Sequence, residues 1–251
     1  MGGMEDRLEQ PELDALWRFD DPVASAERFA MAAAEPYRSE PVRAELETQR
    51  ARALGLQGRF AEAEALLDSL EPASAFGRLQ VRILLERGRL RATEGRDDEA
   101  VPLLEEALIA ARREGDTFLA VDAAHMLALA DHARAEQWTE EALADLRASA
   151  DPRTLRWGVA LHNNRGWALL EVHDAMRALG EFEAAVEAAE RYGTLDQQYA
   201  AQFSLARCLR ELGRGPEAIV IQRRLAAERP EDADVAAELA VLTAAEPTID
   251  S

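Results

Sequence analysis

Five times along this chain an alanine opens an amphipathic stretch a few residues after a turn signal, and that recurrence limits the fold more than any other feature. The copies are Gly58-Arg59-Phe60-Ala61-Glu62-Ala63, Gly95-Arg96-Asp97-Asp98-Glu99-Ala100, Trp138-Thr139-Glu140-Glu141-Ala142, His173-Asp174-Ala175-Met176-Arg177-Ala178 and Gly213-Arg214-Gly215-Pro216-Glu217-Ala218. By subtraction the closing alanines lie 37, 42, 36 and 40 residues apart. A period of this length holds one helix pair, and one pair cannot bury its own apolar face, so successive pairs must stack. Composition points the same way. The chain is 48 % apolar but only 6 % aromatic, its apolar residues are mainly Ala and Leu, and both favour helix over strand. At 251 residues it is long enough to bury a sizeable core.

The residues around each alanine carry a further pattern. Arg165-Gly166 is followed by Ala178, Phe182 and Ala185; Arg87-Gly88 by Ala100, Leu104 and Ala107; Ala51 by Ala63 and Leu67. In the last unit Leu205-Ala206 leads to Ala218, Leu225 and Pro230, with Gln222 where a large apolar residue is expected. Ala130, Ala142 and Leu146 form a third unit, blurred around Gln137-Trp138. A small residue lets two helices approach closely, and the large one a turn later fills the space beside it. This spacing resembles the tetratricopeptide repeat. The resemblance implies an all-α fold, a right-handed α-solenoid of antiparallel helix pairs, with longer than minimal repeats. Five repeats are expected over 41–230, preceded by degenerate leading helices over 11–36 and closed by a capping helix over 231–245. Asp21-Pro22 reads as the start of one leading helix, with Leu13 to Phe19 as its short partner. Residues 1–10 and 246–251 are expected to be flexible ends.

Charge narrows the partners. The 29 basic residues are all Arg and face 48 acids, a net charge of −19, which opposes both nucleic-acid phosphates and anionic membrane surfaces. Cys208 is the only cysteine, and Met1-Gly2-Gly3-Met4-Glu5-Asp6 has neither a basic nor an apolar leader region, so a cytoplasmic address is expected. Sequence motifs for phosphate loops, zinc sites or nucleophile elbows are missing. His132 and Glu136 stand at a metal-compatible spacing beside Asp131, but i, i+4 electrostatics in an acid-rich helix explain them more simply. His125, His162, His173 and Cys208 read as structural residues. We therefore expect no enzyme, no cofactor and no bound metal.

In proteins of the resembled family the first helices line a groove through positions 2, 5, 9, 12 and 13 of each repeat. Carried onto this sequence, those positions hold six Arg (Arg52, Arg82, Arg89, Arg134, Arg207 and Arg210) and four acids (Glu45, Asp131, Glu171 and Glu211), so the groove is less negative than the chain as a whole. The strongest binding candidates are Arg82, Arg89, Asn163, Trp167, Phe203, Arg207 and Arg210. Asn163-Asn164 is similar to the Asn pair of peptide-binding members such as kinesin light chains, where an amide can hold a peptide backbone from both sides. The carboxylate clamp of chaperone-binding members finds no match, since Ala200 and Ser204 occupy its places. The resemblance thus implies a scaffold that holds a peptide or protein segment, acidic or with a free C-terminus. Self-assembly through the terminal helices, or membership of a larger complex, is the alternative; an enzyme or small-ligand sensor is a distant third.

Overall fold

The computed structural model describes residues 8, 10–70 and 77–244, and among these it contains helices and turns with no strand. The expected terminal segments 1–10 and 246–251 lie outside the described residues except for Leu8 and Gln10. Fourteen α-helices follow one another: α1 Gln10–Leu16, α2 Pro22–Ala33, α3 Glu40–Leu56, α4 Phe60–Leu70, α5 Arg78–Thr93, α6 Asp97–Arg113, α7 Thr117–Ala130, α8 Ala135–Arg147, α9 Pro152–Leu155, α10 Trp157–Glu171, α11 Ala175–Tyr192, α12 Leu195–Glu211, α13 Gly215–Glu228 and α14 Ala233–Ala244. The chain divides into two compact units, 1–141 and 142–251.

In the first unit α2 packs on α3, α3 on α4, α5 on α6 and α6 on α7, while α5 also lies beside α3 and α7. The small-to-large spacing explains the closeness of these pairs. A Cβ built on Gly88 of α5 would lie 2.5 Å from Leu104 of α6, and one on Gly55 of α3 would lie 2.4 Å from Leu90 of α5. Ala51, Ala63 and Leu67 are all fully buried in one cluster. Only a residue without a side chain fits at Gly55 or Gly88 while the large neighbour stays in place. The second unit repeats the device. Gly166 of α10 faces Phe182 of α11, where a Cβ would meet the ring at 2.6 Å, and α12, α13 and α14 continue the succession.

The ends of the helices are set locally. Gly58, Gly95, Gly115 and Gly213 take φ between 70° and 73° just past α3, α5, α6 and α12, in the left-handed conformation that closes a helix, and His173 takes φ 60° at the same place after α10. Asp21 accepts from the Ala24 N–H at 2.9 Å, with Pro22 in the first turn of α2.

Two details depart from the sequence reading. Helix α1 ends at Leu16, so Trp17 and Phe19 fall in the connection to α2 instead of within a helix. In the third repeat α7 ends at Ala130, a short 3-10 turn covers His132–Arg134, and α8 begins at Ala135. His132 and Glu136 therefore belong to different elements, and Asp131 is taken by Arg134 at 2.5 Å and by the Trp138 indole at 3.0 Å.

Candidate interaction surface

Within the first unit, α3, α5 and α7 run side by side and are joined by polar side chains. Gln49 of α3 donates to Glu86 of α5 at 3.4 Å, and Arg89 of α5 donates to Asp122 of α7 while lying 3.3 Å from Glu86. Glu45 of α3 takes Arg78 at 3.1 Å and Arg82 at 3.5 Å. Arg82, proposed as a groove residue from its repeat position, is only 3 % exposed, so it lies beneath the surface and ties α5 to α3. Arg89 is half-buried, and its guanidinium bridges two helices.

The shelf beside this network comes from outside the repeats. Trp17 and Phe19 stack with centroids 4.7 Å apart, the edge of Trp17 meets Phe29, and its indole N–H donates to Gln49 at 3.3 Å. The Arg52 guanidinium of α3 lies over both rings, 5.3 Å from Trp17 and 5.7 Å from Phe19. Burial, and after it repulsion from Arg89, holds Arg52 below its ordinary value. His125 of α7 is pushed down to about 4, chiefly by burial, with Arg89 and Arg52 adding to the effect and Asp122 opposing it.

In the second unit α10 lies beside α12, and α12 beside α14. The Trp167 indole donates to Ser204 at 3.2 Å and meets Phe182 edge-on at 5.6 Å, which fixes the ring while leaving it partly exposed. Asn163, one turn earlier on α10, is half-buried with an Oδ1 that accepts no hydrogen bond among the described residues. Phe203 packs against the cluster of Tyr199, Leu225 and Val235. Arg207 and Arg210 already hold a carboxylate. They reach the two oxygens of Glu238 at 2.6 and 2.8 Å, and Glu238, on α14, is buried.

Sequence position thus brought together Asn163, Trp167 and Phe203 on neighbouring first helices, but it missed Asp122, His125, Trp17 and Phe19. An Asp and a His inside the otherwise apolar Thr117–Ala130 were the available signal for the first two. Trp17 and Phe19 stand outside any repeat, so periodicity could not point to them. Among the described residues no three His, Cys, Asp or Glu side chains converge as a metal-binding group, and no helix is long and apolar enough to cross a membrane.

These features define a helical-repeat protein with polar walls on its first helices. The solved structure of BtubC (BKLC) from P. vanneervenii has a similar fold, with a TM-score of 0.63 and 19 % identity over 92 % of this chain and 95 % of that one. Looser matches are Naa15/Naa10 bound to HypK-THB, at TM-score 0.35 and 18 % identity over 93 % and 38 %, and NprR in complex with its cognate peptide NprX, at 0.34 and 13 % over 94 % and 83 %. No family model and no curated protein matches the sequence.

Proposed function

We propose that this chain is a non-enzymatic interaction scaffold built of tetratricopeptide-type repeats, and that it holds a peptide or protein segment on the walls formed by its first helices. The observation that carries the reading is the contrast between two faces of the same helices. One face is filled by residues such as Ala51, Gly88, Gly166 and Ala206, while the other presents half-buried Arg52, Arg89, Asn163, Trp167 and Phe203. Aromatic rings supply area that binding can desolvate, and the half-buried Asn163 amide beside them can turn to hold a peptide backbone. The net charge of −19 slows an acidic partner's approach, but charges beyond roughly 8 Å are largely screened at physiological salt, so local arginines decide the bound state. The cytoplasm is the compartment this reading favours.

Affinity capture from the native organism tests it, with the wild type compared against a variant carrying Asn163→Ala and Trp167→Phe. The second change keeps an aromatic ring against Phe182 but removes the five-membered part of the indole with its N–H donor. Loss of the same captured proteins from the variant supports the wall as the binding face; identical recovery by a folded variant removes it.

A further inference from the structure

Arg52 differs from the other charged groups around it. Arg78 and Arg82 share Glu45, Arg78 also reaches Asp116 at 3.2 Å, and Arg89 takes Glu86 and Asp122. Those four acids are committed to three arginines. Among the described residues Arg52 makes no ion pair and no hydrogen bond; its guanidinium lies beside the Trp17–Phe19 stack, 5.3 and 5.7 Å from the two ring centres. Arg28, Arg223 and Arg224 also lack a carboxylate, but they are exposed and water serves their N–H groups. Arg52 is half-buried, yet none of its side-chain nitrogens is sealed from solvent, so its donors face water and stay open to an acceptor from outside the chain.

Four arginines and four acids make the network neutral as a whole. What Arg52 lacks is an acceptor of the right shape, and the complement of a planar guanidinium fork is a carboxylate, held by two parallel hydrogen bonds. The neighbouring rings restrict the rotamers of the side chain, so less freedom is lost when it binds. Phe19 is 62 % exposed beside it, an apolar surface next to the charge.

We propose that Arg52, on the shelf of Trp17 and Phe19, is a carboxylate-binding subsite that recognises an acidic side chain or the free C-terminus of a bound peptide, with an apolar neighbour of that carboxylate resting on Phe19. The proposal rests on the reading of the first-helix walls as peptide-binding surfaces and specifies the chemistry on the wall of the first unit.

Arginine Nε–Hε resonances of the full chain provide the test, with the Arg52 signal identified by its loss in Arg52→Gln. Three probes are titrated: sodium acetate, an acidic octapeptide of Glu and Leu with an amidated C-terminus, and a neutral octapeptide of Gln and Leu with a free C-terminus. Acetate and at least one peptide are expected to shift the Arg52 signal. Response to the amidated peptide assigns a side-chain carboxylate as ligand, and response to the neutral one assigns the C-terminus. Affinity should fall about tenfold or more in Arg52→Gln, the scale of a hydrogen bond to a charged group, and should weaken with added salt. Arg52→Lys keeps the charge beside the rings but loses the planar fork, so it should bind at intermediate strength with its circular dichroism unchanged; Arg28→Gln should bind as the wild type does. An Arg52 signal that none of the probes moves overturns the subsite, as does equal affinity in a folded Arg52→Gln. If peptides shift the Trp167 indole and leave Arg52 still, the subsite falls and the wall reading stands. Acetate binding at Arg52 with no peptide bound at either place keeps the carboxylate site and removes the peptide reading.

Discussion

At the scale of single residues, two side chains sit where their chemistry opposes their surroundings. Gln222 stands four residues after Ala218, the place that Leu67, Leu104 and Phe182 fill in other repeats, and it is fully buried with neither amide atom hydrogen-bonded among the described residues. An unpaired buried amide costs about 1–3 kcal/mol. Gln222→Leu keeps nearly the same volume and removes that cost, so the denaturation midpoint should rise by an amount equivalent to about 1–2 kcal/mol; a lower midpoint would show that the amide is satisfied in solution. His125 is the second. Unfolded, its imidazole takes a proton near 6.5, whereas in the fold burial holds it down at about 4. The unfolded state therefore binds the proton first, and His125's contribution to stability, complete above pH 6.5, is lost as the pH falls toward 4, by no more than roughly 3 kcal/mol. Urea midpoints measured from pH 7 to pH 5 should fall more steeply for the wild type than for His125→Gln, and parallel curves would refute the assignment.

At the scale of elements, the last helix is tied down by a charge arrangement. Glu238 of α14 joins Arg207 and Arg210 of α12 across 31 and 28 residues of sequence, and Tyr199 of α12 donates to Asp232, which in turn accepts from the Asp234 and Val235 N–H groups at the start of α14. Removing Glu238 leaves the two arginines with Glu211 alone, 2.9 Å from Arg210 and 3.9 Å from Arg207. Because Arg207 is 37 % exposed and partly screened, the cost of Glu238→Ala should be about 1–3 kcal/mol, below the full penalty of a buried pair. Amide exchange in α14 should accelerate; unchanged exchange would mean that apolar packing of Val235 and Leu242 suffices to hold the helix. The contact also shows what sequence could and could not reveal. Gly88 against Leu104 and Gly166 against Phe182 are local consequences of a fixed spacing, so the pairs were legible as written. The partner of Arg207 and Arg210 is a long-range choice, and no spacing rule separates Glu238 from the other acids nearby. Repeat three was blurred for a physical reason: α7 stops at Ala130 and a 3-10 turn resets the phase, which moved the polar positions to Asp122 and His125.

At the scale of the whole molecule, the extensive helix contacts among the described residues join elements one or two apart in chain order. Stability in such an arrangement approximates a sum of local terms and neighbour interfaces, so a lesion should be felt close to where it is made. Gly166→Ala is a suitable lesion. Alanine in a helix interior gains about 1 kcal/mol in propensity over glycine, yet here its Cβ would lie 2.6–2.8 Å from three atoms of the Phe182 ring, and overpacking of that kind costs about 1–3 kcal/mol. Overpacking should win, because Phe182 is fully buried and already packed edge-on against Trp167. Hydrogen exchange should then speed up in α10, α11 and α12 while α5 and α6 keep wild-type protection. A globular core folding as one cooperative body would lose protection everywhere by the same amount. A uniform loss in Gly166→Ala would therefore show that the helix pairs are bound into a single cooperative unit, and that the neighbour-only contacts understate how far one repeat depends on the rest.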